Sequence, residues 1–164
     1  MQMNGRTARH ASSALIIATY ALFAANALWI APACAALGGD AASAATDEVA
    51  MHGIATSAPR QQYDLLEITN DSGMRLREYL DRSGNVFAVS WSGPVLPDLQ
   101  RLLGAHYAQY AAAIASLEHP GLHRSVRVST PELVAECAGH LRAYAGRAYL
   151  PALLPAGVLA AELR

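Results

Sequence analysis

Glu136, Cys137 and His140 stand close together in this 164-residue chain, and their types come nearest to a reactive set. A Cys-x-x-His spacing can bring two ligands to one metal, and an imidazole beside a thiol can raise the nucleophile's thiolate fraction. A structural zinc needs four ligands, however, and His52, His106, His119 and His123 form no second pair. No metal is expected. A thiol enzyme built on Cys137 and His140 is an alternative that depends on whether two side chains three residues apart can meet. Serine chemistry of the G-x-S-x-G kind has no support, because neither Ser90 nor Ser92 has a glycine two positions before it. All twelve basic residues are arginine, which removes P-loop, Schiff-base and lysine-base chemistry, and no cofactor is expected.

A second group suits recognition. Arg77, Tyr79, Arg142, Tyr144, Arg147 and Tyr149 combine guanidinium donors with flat aromatic surface on expected strands. Such a face can hold a sugar, an anionic polymer or a protein, and it also resembles a solvated sheet face. Glu78 is the one acid placed on an apolar strand face. Burial there calls for an arginine partner or a raised pKa, of which pairing is the commoner outcome.

The elements that position these residues follow from periodicity. Gln62 to Thr69 reads as a strand, Asn70-Asp71-Ser72-Gly73 as a tight turn, and Met74 to Leu80 as a second strand. In it Met74, Leu76, Glu78 and Leu80 share one face, with Arg75, Arg77 and Tyr79 on the other. Asp81 to Asn85, with Gly84 in a left-handed position, predicts a bulged turn into a third strand, Val86 to Trp91. Phe87, Val89 and Trp91 are expected on its filled face. Leu99, Leu102, Leu103, Tyr107, Tyr110, Ile114 and Leu117 then recur at helical spacing, so one long helix is expected between Pro97 and His119-Pro120-Gly121, weakened at Gly104. Ser125–Ser129, Glu132–Cys137 and Leu141–Leu150 read as strands, with a turn at Ala138-Gly139-His140 and a bulge at Gly146. The expected fold is α+β: about six antiparallel strands in the order βββ-α-βββ, packed on one long helix.

The start of the chain has a different character. Arg6, Arg9 and His10 precede an uncharged apolar stretch, Ala11 to Ile30, and then Pro32-Ala33-Cys34-Ala35, the layout of a cleaved secretory signal. Cleavage is expected after Ala35. The apolar stretch is also long enough for an uncleaved anchor, and Cys34 offers a third reading as a lipidated residue, for which Ala31 and Pro32 are unusual predecessors. Residues 36–61, rich in Ala, Ser and Thr, read as a flexible arm on which Met51 and Ile54 could dock, ahead of a single domain at 62–164. Without the signal, ten arginines face thirteen acids. That balance argues against nucleic acid, whose backbone calls for concentrated positive charge. Cys137 is then the only cysteine, so no internal disulfide forms; a free thiol and an intermolecular bridge both stay open.

Leu76-Arg77-Glu78-Tyr79, Ser83 through Pro94, and Leu96-Pro97-Asp98-Leu99 resemble a family of small secreted bacterial proteins, domain of unknown function 2844. Ala36-Leu37-Gly38-Gly39 and the run from Gly139-His140 through Gly146-Arg147-Ala148-Tyr149 to Leu154-Pro155 are similar to it as well. The resemblance implies bacterial origin and export to the periplasm or beyond, and it carries no catalytic residues. The expectation is an exported, non-enzymatic module that binds a protein or envelope component, with no membrane span after signal cleavage. The alternatives are a small periplasmic hydrolase or thiol enzyme using Cys137 and His140, and a structural envelope component without a discrete ligand.

Overall fold

The computed structural model describes residues 37–117 and 125–164. The expected signal, its cleavage site and the His119-Pro120-Gly121 helix stop lie outside the described residues.

The architecture is α+β with one antiparallel sheet, but the sheet has seven strands, and two short helices stand where one long one was expected. The seventh strand comes from the segment expected to be a loose arm. Asp40 caps helix α1 (Ala41–Met51) by accepting from the Ser43 amide at 2.9 Å, and His52 closes it in a left-handed conformation at φ 48°. Alanine is the strongest helix former, so a run poor in large apolar residues still makes a helix. Ser43, Ala44 and Asp47 are buried, and Met51 packs on the core. Strand β1 (Gly53–Pro59) follows and adds to the sheet edge, with Ile54 left exposed rather than docked.

Strands β2 (Asp64–Asn70), β3 (Arg75–Leu80) and β4 (Val86–Gly93) form the expected meander. Its turns work as their residues require. Asn70 Oδ1 accepts from the Ser72 and Met74 amides, and Asp81 Oδ1 from those of Ser83 and Asn85, with Gly73 and Gly84 at φ 81° and 84°. These backbone bonds hold the Asp81 carboxyl below its usual range.

After β4 comes helix α2 (Leu99–Leu103), a single 3₁₀ turn at Gly104–His106, and helix α3 (Tyr107–Ala115). Gly104 takes φ 50°, ψ −122°, a conformation no helical residue adopts, so it interrupts the helix instead of merely weakening it. Strands β5 (Ser125–Ser129), β6 (Val134–His140) and β7 (Ala143–Tyr149) complete the sheet, in the spatial order β1-β2-β3-β4-β7-β6-β5. The β6–β7 turn falls at Leu141-Arg142, where Arg142 carries φ 66°, so Gly139 and His140 belong to the strand.

Both sheet faces are filled, not one. Leu76, Val86, Val89 and Trp91 pack with Leu102, Leu103 and Leu133 on the helix side. Tyr79, Phe87 and Ala88 pack on the opposite face with Val158 and Leu163 of the C-terminal segment. A bulge creates this division: Leu80 pairs with Val86 and Tyr79 with Ala88, so Phe87 is the extra residue and turns away from Val89 and Trp91. Gly146 marks no bulge, since β7 keeps regular register with both neighbours. A Cβ there would lie 2.3 Å from the Trp91 ring and 2.6 Å from the Glu136 carbonyl, so glycine is what lets the indole lie against β7.

Candidate functional site

Antiparallel register aligns Glu67, Arg77, Ser90, Arg147, Glu136 and Arg127 in one row across β2, β3, β4, β7, β6 and β5. Ser90 is the centre, and each flank holds a glutamate shared by two arginines. Glu67 takes the Arg77 Nε at 2.6 Å and the Arg75 Nε at 3.4 Å. Glu136 takes Arg147 at 2.7 Å and Arg127 at 2.9 Å. Each cluster therefore has one more positive charge than negative. A guanidinium has five N–H donors, so the shared carboxylates leave donors free.

The C-terminal segment lies against one side of this row. Val158 and Leu163 are buried against Tyr79 and Phe87, and a short 3₁₀ turn, Ala160–Glu162, runs past Arg147. Arg147 donates to the Ala160 carbonyl, while Arg77 and the Tyr79 hydroxyl both donate to that of Arg164, the latter at 2.9 Å. On the other side the sheet is open. Its next row holds Arg75, Ser92, Ala145, Ala138 and Ser125, and the small side chains of the last four leave a groove of about 840 Å³. Five of the twelve arginines line it: Arg75, Arg77, Arg127, Arg147 and Arg164. Arg75 and Arg127 are the freer pair beside the ion-paired centre, with 49% and 64% of their side chains exposed.

The structure brings some of the expected recognition residues together and separates others. Arg77 and Arg147 flank the row, and Tyr79 and Tyr149 share their face. The tyrosines belong to the hydrophobic cluster beneath the C-terminal segment, however, with Tyr79 almost wholly buried. Tyr144 lies on the opposite face, in register with Gly139 and Gly93, and Arg142 sits in the exposed β6–β7 turn. Arg75 and Arg127 were not among the sequence candidates. Their signal was the odd-numbered alternation of Arg75 with Arg77 and of Ser125 with Arg127, which becomes legible as a site only once β5 is known to share a sheet with β3.

Cys137 and His140 do not form a pair. Three residues apart on a continuous strand, they point to opposite faces. Cys137 packs on the helix-side core, where burial pushes its thiol above the usual range and away from the reactive thiolate. His140 is exposed, with Nδ1 3.3 Å from the Leu141 carbonyl oxygen. Glu136 is committed to Arg127 and Arg147. Among the described residues no three His, Cys, Asp or Glu side chains gather as a metal site, and no helix is long and apolar enough to cross a membrane.

Glu78 is buried on the helix side as its strand position requires, yet its partner is an acid. Its side chain faces that of Asp47 of α1, and burial together with this second carboxyl pushes its pKa up to about 8. Asp47 is also raised by burial, against the pull of Arg101, whose Nε lies 2.8 Å from Asp47 Oδ1.

These features define a small α+β protein: a seven-stranded antiparallel sheet with helices on one face and an arginine-walled groove on the other. The chain belongs to the family described as protein of unknown function (DUF2844), whose model matches residues 33–163. No curated protein and no solved structure matches it.

Proposed function

We propose that this protein is an exported, non-enzymatic binding module of the bacterial periplasm or envelope that takes an anionic ligand in the arginine-walled groove. The observation that carries the reading is the charge asymmetry: five arginines line the groove, against only Glu136 within it and Glu67 beside it, in a chain whose formal net charge is −1. Guanidinium groups are weakly hydrated and present planar donors that suit carboxylate, sulfate or phosphate. The floor of Ser92, Ser125, Ala138 and Ala145 is shallow and crosses several strands, which suits an extended ligand better than a compact substrate. The separation of Cys137 from His140 removes the support for a thiol mechanism. Export is supported by the signal-like residues 1–35, and the residues from Leu37 onward belong to the fold. Leu37 is buried, its amide donates to the Leu102 carbonyl at 3.0 Å, and Gly38 donates to Val86 at 2.8 Å.

Calorimetric titration with polygalacturonate, a polycarboxylate, and with neutral dextran tests the groove. The polyanion is expected to bind with an affinity that falls as salt is added, dextran not to bind, and Arg75→Ala/Arg127→Ala to weaken binding at least tenfold. Equal binding by the double variant, or none by the native protein, overturns the reading. Export is tested by the intact mass of protein recovered from periplasm, expected to begin at Ala36; retention of residues 1–35 overturns it.

A further inference from the structure

The contact between Asp47 and Glu78 joins two carboxyl groups, neither of which can donate a hydrogen bond when ionised. Asp47 Oδ2 and Glu78 Oε2 are fully buried, and no donor among the described residues reaches either of them. A hydrogen bond between them therefore forms only while one of the two carries a proton. The surrounding charges do not remove that need. Arg101 of α2 faces Asp47 alone, through Oδ1, and Asp98 at the α2 N-cap opposes it. Among the described residues, no charge other than Asp47 bears on Glu78. One arginine thus compensates one carboxylate, and the second acid stays buried only as a neutral group.

The pair also sits at a mechanically telling place. Asp47 is the only charged residue that α1 buries, its neighbours there being Ser43 and Ala44. The rest of the α1 contact is light, since those side chains are small and Met51 is only partly buried. Asp47, Ala50 and Met51 also form one wall of a cavity of about 370 Å³ whose other walls include Met74, Leu96 and Leu102.

We propose that Asp47 and Glu78 form a pH-sensitive latch, in which one shared proton fastens helix α1 to the sheet and its loss lets the helix lift. Deprotonation leaves two carboxylates in contact beneath α1 with Arg101 paired to Asp47 alone, and the least costly relief is to carry Asp47 out to solvent on its helix. Lifting α1 opens the cavity it walls and leaves β3 and β4, held by strand pairing on both sides, in place. The latch is closed in neutral and acidic surroundings and opens in alkaline ones.

Hydrogen exchange of the full chain from pH 6 to 9, corrected for intrinsic exchange, tests this. Protection of the amides in 41–51 is expected to fall at least tenfold relative to those of β4, because each pH unit above the titration midpoint is a factor of ten for one proton. Glu78→Gln supplies a permanent N–H donor to Asp47 and is expected to abolish the fall. Constant α1 protection, an equal fall in Glu78→Gln, or a fall shared by β4 overturns the latch. If Glu78→Gln does not fold, the carbon-13 carboxyl titration of Glu78 in the native chain decides. A midpoint coinciding with the loss of α1 protection supports the proposal, and ionisation complete by pH 6 overturns it.

Discussion

The two faces of the sheet handle charge in opposite ways. Under the helices, Glu78 and Asp47 are buried, Arg101 pairs with Asp47 alone, and the two acids depend on a proton. On the other face, Glu67 and Glu136 are about 30% exposed, and each is clasped by two arginines that bond onward to the C-terminal segment or reach solvent. Burial without enough countercharge gives a pH response; partial exposure with excess countercharge gives a surface that attracts anions. The same residue types serve both because only the solvent around them differs.

The largest test of this comparison concerns whether the second face is a true core. Phe87→Ala and Trp91→Ala truncate side chains packed on opposite faces, and each is expected to cost about 3–5 kcal/mol in denaturant unfolding. A Phe87→Ala loss below about 1 kcal/mol would break the two-core description.

Next is the proton on the helix side. Glu78, pushed up to about 8 from an ordinary 4.5, holds a proton in the fold that the unfolded chain has released. Between those values the native state binds more protons, so its contribution to stability is full below pH 4.5 and is lost as pH rises through 8. The slope is about 1.4 kcal/mol per pH unit for one proton. Thermal melts of the native chain are expected to drop by several degrees from pH 5 to pH 8, and those of Glu78→Gln to stay level over that range.

A smaller effect is expected for Arg147→Ala, which removes the bonds to Glu136 and to the Ala160 carbonyl while Arg127 still neutralises Glu136. A loss of about 1–3 kcal/mol follows from deleting hydrogen bonds to a charged group. Cleavage by proteases should quicken first within 157–164; uniform cleavage elsewhere would show that Arg147 does not anchor that segment. The smallest stability change belongs to Arg75→Ala/Arg127→Ala. These exposed pairs are screened by solvent, so unfolding should shift by no more than about 0.5 kcal/mol while polyanion affinity falls. A large stability loss would make these arginines structural.

How far the fold was legible depended on range. The β2–β3 and β3–β4 turns were readable because Asn70, Asp81, Gly73 and Gly84 act on atoms a few residues away. Helix α1 was missed because its short side chains looked unable to bury surface, although Asp40 followed by alanines is a cap and a helix former in sequence. The helix break was half visible: Gly104 was marked as weak, but its φ of 50° and ψ of −122° are a backbone state that glycine permits without dictating. Of the candidate site, Arg77 and Arg147 were found, whereas Tyr144 was placed with Arg147 through an expected bulge at Gly146 that β7 does not have, so the two side chains fall on opposite faces.

By itself the sequence determined what alternation, helical spacing and turn chemistry dictate locally: a β-meander, helical cover, further strands, a lysine-free chain and one acid on an apolar face. The tertiary structure decided which rows of side chains coincide. Glu67, Arg77, Ser90, Arg147, Glu136 and Arg127 come from six strands and align only through hydrogen-bond register. Glu78 found an acid instead of an arginine because α1 supplied Asp47 from thirty-one residues away. Local preferences act through a few covalent bonds, whereas charge pairing and burial depend on distance in space, which only the completed packing sets.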